Sequence, residues 1–268
     1  MPNATITLRN TATGQTLVTQ TTDAGSYTYP NVPVGDYILT IECAGFAPAT
    51  QELKVALNQE SSANVTIQVG GVVGQVEVTA ANEALVQIES SQLGRSFGTR
   101  QVQDLPIFGD QKQLALLSPN VVQQAAGTAG EGGTVGGVRS RYNNFNVDGI
   151  DNNDPSITGE QIPLIQDAIQ EFTLLTNNFN AEFGTAGGGQ FNTITRSGTN
   201  DFHGSGFLYV QNQHLNAAST AEERQLRAPT PTLRELPRYR DARYGATLGG
   251  PVMRNKLFFF GAVQHAHN

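Results

Sequence analysis

Three β-strand signals follow one another at the end of this chain: Phe202–Asn212, Arg243–Val252 and Leu257–Ala266, the last carrying Phe258, Phe259 and Phe260. A long charged gap, Gln213–Ala242, separates the first two, and a tight turn, Met253–Lys256, joins the last two. Long loops alternating with short turns are the wiring of an antiparallel membrane barrel. Three strands do not close a barrel, and single-chain barrels begin at about eight. The pattern therefore predicts the front part of a larger outer-membrane barrel protein. The lipid-facing parity stays open at this point. Leu208 and Val210 fall on one face of the first strand, Phe207 and Tyr209 on the other.

Composition narrows the class. Glycine is abundant at 29 residues, tryptophan is absent and 15% of residues are charged, which suits turn-rich β structure. The net charge of −7 argues against nucleic acid as a partner. The charge is uneven: 19 acidic and 8 basic residues through Thr220, then 4 acidic and 8 basic from Ala221. Cys43 is the single cysteine, so no intrachain disulfide forms, and a partly apolar strand end makes it a buried thiol. No run of about 18 apolar residues exists for a membrane helix. Met1 and Pro2 lead directly into a strand with no export signal, so sequence is expected on both sides of the chain.

Residues 3–69 read as short alternating strands. Ile6 and Leu8; Tyr37, Leu39 and Ile41; Leu53, Val55 and Leu57; and Val65, Ile67 and Val69 each form one oily face. Turn signals lie between them: Thr13-Gly14, Asp23-Ala24-Gly25, Pro33-Val34-Gly35 and Ala44-Gly45. The expectation is a small β-sandwich. Gly70–Gly74 is a glycine hinge, and a β-prone hexad, Gln75-Val76-Glu77-Val78-Thr79-Ala80, follows it. The polar stretch to Gln92 reads as a linker.

From Leu93 the pattern becomes mixed. Thr99–Asp104 predicts a helical turn, and Asp110 caps another through Leu117. Pro163–Asp167 predicts one further turn. Tyr142–Val147, Ile169–Thr176 and Gln190–Thr195 predict strands, the first ended by Asp148-Gly149. This is an α+β domain with many loops.

Two resemblances follow from these residues. Ala4-Thr5-Ile6-Thr7-Leu8, Thr22–Tyr27, Val32–Tyr37 and Ala44-Gly45-Phe46 resemble a carboxypeptidase regulatory-like domain, a transthyretin-like sandwich whose opening strand is missing here. Val102–Pro106, Leu117–Val121, Gly137-Val138-Arg139, Phe145–Asn152, Asp167–Phe172 and Asn180–Gly184 resemble the plug domain of TonB-dependent receptors. Thr195–Asn200 with Phe202-His203-Gly204 resembles the plug-to-barrel junction of the Oar-like subgroup. Gly249-Gly250-Pro251 and Lys256–Phe260 continue it into the barrel.

The resemblance implies a mainly β chain with an α+β plug. The expected order is a sandwich over 1–73, a linker with a TonB box over 74–92, a plug over 93–200 and the start of a transmembrane β-barrel over 201–268. Gln75–Ala80 resembles the TonB box, an extended segment gripped by the periplasmic domain of TonB; the same residues also read as an extension of the sandwich's last strand. Arg139, Asp148, Gly149 and Glu182 match recurring plug positions, with structural roles implied. The implied partners are TonB, outer-membrane lipid and an extracellular ligand of siderophore, carbohydrate or peptide class. The implied place is the outer membrane, with sandwich and box on the periplasmic side.

Other chemistry finds little support. Asp148–Asp154 fails the calcium-loop template, since Ile150 holds the third position, and reads as turn chemistry. Gly127–Gly137 and Gly187-Gly188-Gly189 do not lead into a phosphate-loop lysine. His203, His214, His265 and His267 lack zinc spacing. Arg224–Arg243 reads as a solvated loop or an anion contact. No catalytic constellation, metal site or cofactor site emerges, and the expectation is a non-enzyme. The alternative is a carbohydrate- or polymer-binding sandwich of a surface protein, weakened by the absence of tryptophan for stacking on sugar.

Overall fold

The computed structural model of the chain describes residues 1–57, 61–69, 76–78, 92–105, 107, 110–124, 128–156, 158–180, 183, 186–212, 214–215, 217, 220–227 and 240–267. Among these residues the chain is mainly β, with three larger sheets and one two-stranded ribbon. No described helix is long and apolar enough to cross a membrane.

The first sheet contains β1 (Thr5–Asn10), β2 (Thr16–Gln20), β3 (Gly35–Glu42), β4 (Ala49–Val55) and β5 (Val76–Val78) in the order β2-β1-β3-β4-β5. Ile6, Leu8, Tyr37, Leu39 and Ile41 sit on one face and are buried, as their two-residue spacing requires. Its covering layer differs from the expected strand pattern. Val65 and Ile67 pack half-buried on this core, yet residues 61–69 form no strand and make only one isolated bridge, Phe46 to Val69. Side-chain burial and the Tyr27 hydroxyl, which donates to the Ala63 carbonyl at 2.7 Å, hold the segment in place of a ladder.

The central sheet contains β6 (Leu93–Gly98), β9 (Asn144–Val147), β10 (Ile150–Asp151), β11 (Ile169–Asn177) and β12 (Gln190–Thr195). They lie in the order β10-β9-β12-β11-β6. A separate ribbon joins β7 (Val121–Val122) to β8 (Thr134–Val135). Helix α1 (Thr99–Asp104) follows β6, and a 3-10 segment, Gln111–Leu117, lies beside the sheet. The latter begins where Asp110 accepts the Lys112 backbone N–H at 3.1 Å, so the predicted cap is present on a tighter helix. A second 3-10 turn spans Gln166–Ala168, at the end of the predicted Pro163–Asp167 turn.

The central core is aromatic. Phe172 lies between Phe97 and Phe191, with ring centroids 5.9 and 6.1 Å away, and Phe145 meets Phe191 at 4.8 Å. Val102 from α1 and Leu114 from the 3-10 segment close over them, fully buried. Each such burial contributes about 1.5–3 kcal/mol.

The third sheet is antiparallel: β13 (His203–Asn212), β14 (Arg240–Met253) and β15 (Leu257–His267). Pairing runs from His203–Gly249 to Asn212–Arg240, and from Ala242–His267 to Pro251–Phe258. Helix α2 (Thr220–Leu226) lies within the long connection. The turn at Met253–Lys256 closes with the Lys256 N–H donating to the Met253 carbonyl at 3.1 Å, and Asn255 takes its left-handed position, φ 60°.

Candidate functional site

The two faces of the third sheet differ. Leu208 and Val263 are each 67% exposed, and Val210, Tyr244, Leu248 and Phe259 share their face. The opposite face carries Ser205, Phe207, Tyr209, Asp241, Arg243, Thr247 and Gln264. There the Ser205 and Thr247 hydroxyls meet at 2.8 Å, and Arg243 Nη2 lies 2.8 Å from Asp241 Oδ2. This answers the parity that the strand pattern left open. Phe207 and Tyr209 face inward with the polar set, and Leu208 and Val210 face outward.

The inward face is where the central domain sits. Tyr209 donates its hydroxyl to Asp167 Oδ2 at 3.0 Å. Asp167 is buried in the turn that launches β11, and Arg196 Nη1 donates to its backbone carbonyl at 3.4 Å. Burial raises the Asp167 pKa, with the Tyr209 hydrogen bond and the Arg196 charge opposing the rise. The passage from β12 to β13 then crosses the sheet at close range. A Cβ on Gly198 would stand 2.3 Å from the Phe259 carbonyl oxygen and 2.7 Å from that of Gly250, so only glycine fits.

Two further seams tie the first sheet to this assembly. The Leu57 backbone N–H donates to Glu171 Oε1 at 3.0 Å. Burial raises the Glu171 pKa, opposed by that hydrogen bond and by the Lys54 charge. At the other seam, the Asn200 N–H donates to the Ala12 carbonyl at 3.0 Å. Asn200 and Asn255 exchange hydrogen bonds, Nδ2 to Oδ1 at 2.9 Å and backbone N to Oδ1 at 2.8 Å.

Inside the central domain, Lys112 joins two loops to the cap of its own segment. Its Nζ lies 2.7 Å from Glu131 Oε2, 3.2 Å from Glu160 Oε2 and 3.7 Å from Asp110 Oδ1. Burial alone would lower the Lys112 pKa; the Glu131 hydrogen bond and the three carboxylate charges outweigh it and leave it raised. Burial raises the Glu160 pKa against the pull of Lys112.

The residues singled out in the sequence are dispersed. Asp148 and Gly149 form the β9–β10 turn with φ 51° and 79°, and the Asp148 carboxylate accepts the Thr195 N–H at 2.9 Å and its hydroxyl at 2.7 Å. Arg139 is exposed ahead of the 3-10 turn Ser140–Tyr142, its carbonyl accepting the Tyr142 N–H at 3.0 Å. Glu182 lies outside the described residues, as do Gln75, Thr79 and Ala80. The middle of the hexad is described: Val76, Glu77 and Val78 pair in parallel with Ala49, Thr50 and Gln51 of β4. No group of three or more metal-ligating side chains occurs among the described residues.

Sequence reasoning did not find Tyr209–Asp167, Lys112 with its carboxylates, or Glu171–Leu57. These partners lie 42, up to 48, and 114 residues apart, and no local pattern links them. The one signal present was polar: Asp167 and Glu171 flank Ala168, Ile169 and Gln170 at the entry to a strand that then turns apolar.

Comparison with known proteins follows the same order along the chain. Residues 1–68 match the carboxypeptidase regulatory-like domain family, and residues 194–268 match the outer membrane beta barrel domain family. Over 264 residues, 96% of the chain, the sequence is 29% identical to the TonB-dependent transporter Oar of Myxococcus xanthus. The chain spans about a quarter, 24%, of the length of that curated relative. Among solved structures, a mutant ferric enterobactin receptor from Pseudomonas aeruginosa, in complex with enterobactin, aligns with TM-score 0.47 and 16% identity. It covers 66% of this chain and 25% of that one. The siderophore receptor PirA from Acinetobacter baumannii aligns with TM-score 0.46 and 17% identity, over 65% of this chain and 24% of that one.

Proposed function

We propose, on the premise that this chain is an Oar-like relative of the TonB-dependent receptors, that residues 93–200 act as a plug gating uptake through an outer-membrane barrel. In this reading residues 1–73 form the periplasmic appendage, 74–92 the linker with the TonB box, and 201–268 the first strands of the wall. Gln75–Ala80 is the segment that the TonB periplasmic domain captures. An extended peptide adds to an exposed sheet edge through its backbone, which requires little of its sequence. Arg139, Asp148, Gly149 and Glu182 are structural residues of the plug.

One observation carries the reading. The sheet that presents Leu208, Val210, Leu248 and Val263 outward holds the central domain on its inward face through Tyr209 and Asp167. An apolar outer band with a polar, occupied interior is the arrangement of a plugged membrane barrel. The plug's seams with wall and appendage are a few hydrogen bonds rather than a continuous apolar core. Elements held this way open at lower cost than the aromatic core behind them. The extracellular ligand is of siderophore, carbohydrate or peptide class.

The test is capture of the segment. A purified TonB periplasmic domain is titrated onto the full chain in lipid, with Val76→Pro and Val78→Pro as variants that remove backbone donors. Saturable binding, lost in both variants, supports the reading. Binding that persists unchanged in both variants contradicts it.

A further inference from the structure

The outward face of the third sheet changes character at one end. Along β14 the outward side chains from Val252 to Ala242 are apolar or aromatic. At about 3.4 Å per residue and a tilt of about 40°, that stretch rises about 26 Å along the membrane normal, the height of a membrane barrel's apolar band. Arg240 is the next outward residue, so it stands just above the band, at headgroup level. His267 lies opposite Ala242 and diagonal to Arg240, and His265 lies opposite Tyr244, with ring centroids 5.2 Å apart. Arg240, His265 and His267 are all exposed. Among the described residues of the three strands no acidic side chain shares this face, since Asp241 points inward and pairs with Arg243. The long connection lies at this end and the short turn Met253–Lys256 at the other, so the basic rim belongs to the extracellular leaflet.

Below the rim lies an apolar groove of about 570 Å³. Gly206 and Ala246 leave its floor low, and Leu208, Tyr244, Val263 and His265 rise around it. We propose that this face holds one bilayer lipid with an anionic phosphate headgroup, its phosphate on Arg240 and His267 and an acyl chain in the groove. This rests on the reading of the third sheet as a membrane wall, and it names a lipid ligand for that wall. Charge selects the headgroup. A guanidinium binds phosphate through two parallel N–H donors, and an imidazole N–H adds a third. With no carboxylate on this face, the cation of a zwitterionic headgroup finds no partner here. Depth selects the chain. Ala246 stands about 16 Å below Arg240 along the normal, close to the hydrocarbon thickness of one leaflet, so only an acyl chain reaches it. Tyr244 lies between the two, with its ring on the chain side and its hydroxyl toward the interface.

The test is lipid selectivity. The full chain in phosphatidylcholine vesicles receives a trace of spin-labelled phosphatidic acid or spin-labelled phosphatidylcholine. Electron paramagnetic resonance then reads the motionally restricted fraction of each and its rate of exchange. Phosphatidic acid is expected to be favoured about fivefold, as one arginine near an anionic lipid gives. Arg240→Gln combined with His267→Gln is expected to bring that ratio to about one. Equal association with the parent chain, or a preference that survives the double variant, overturns the headgroup site. Ala246→Leu fills the groove and is expected to speed the exchange of restricted phosphatidic acid about fourfold, the factor for one buried methylene. An unchanged exchange rate overturns the seat of the chain. Excess inorganic phosphate, matched in ionic strength by chloride, is expected to leave the preference unchanged; its loss would make this a site for free phosphate and overturn the lipid assignment. If neither lipid shows a restricted fraction, the membrane wall itself is refuted, whereas restricted lipid without preference refutes the site alone.

Discussion

Tyr209 of β13 donates its hydroxyl to the buried carboxylate of Asp167 across 3.0 Å, a side-chain hydrogen bond between the inward face of the third sheet and the turn that starts β11, the longest strand of the central sheet. A hydrogen bond to a charged group contributes about 1.5–3 kcal/mol. Tyr209→Phe is expected to lower the stability of the central domain by that order while leaving the β13–β14 ladder intact. Chemical denaturation followed at the central domain, beside the β-sheet circular dichroism signal, checks both halves.

Lys112 holds Glu131 and Glu160 from two separate loops beside Asp110, the cap of its own segment. Lys112→Met leaves the buried Glu160 without its cation, and removing one partner of such a pair costs about 3 kcal/mol. The loss is expected to be smaller at pH 5 than at pH 7. Burial already raises the Glu160 pKa, and without lysine the carboxyl takes a proton more readily. Denaturation midpoints at the two pH values test this.

Glu171 gives a pH dependence of defined sign. Burial raises its pKa above the ordinary 4.5, so the folded chain binds that proton more tightly than the unfolded chain. Its contribution is most favourable below the unfolded value and is lost as pH rises through the raised folded value. Glu171→Gln keeps an oxygen to accept the Leu57 N–H and removes the titration. The variant is expected to gain stability relative to the parent as pH rises from 4.5 toward 7; a constant difference across that range would count against the assignment.

Gly132 adopts φ +81°, and a Cβ there would stand 2.5 Å from the Phe191 ring. Gly132→Ala is expected to cost about 1–3 kcal/mol from backbone strain alone, with ring displacement added. Gly136, at φ +59°, has no heavy atom within 4 Å of the place a Cβ would take, so Gly136→Ala is expected to cost less. Paired denaturation curves separate strain from crowding.

Much of the fold was legible where a single strand or turn declares itself. The three strands of the third sheet were placed to within three residues at their ends, and Gln190–Thr195 matched β12, because alternation and turn residues are local. Strands β2 and β6 were not anticipated: Thr16–Gln20 is polar and largely exposed, and Leu93–Gly98 buries chiefly Phe97. Residues 61–69 show the opposite failure, since Val65 and Ile67 alternate like a strand but pack without a ladder. The Asp148 turn and the extended backbone of Val76–Val78 were visible from residue type. The outward parity of Leu208 was not, because it depends on which face Asp167 occupies.

The most direct measurement is site-directed spin labelling of the wall in lipid, one label at a time in a Cys43→Ser background. Labels at Leu208, Leu248 and Val263 are compared with labels at Ser205, Thr247 and Gln264. The expected result is that the first three meet lipid-dissolved oxygen and avoid a water-soluble nickel reagent, and that the second three, turned toward the central domain, are shielded from oxygen. Equal access at both sets, or water-soluble access at Leu208, Leu248 and Val263, would contradict a membrane wall with a plug on its inner face.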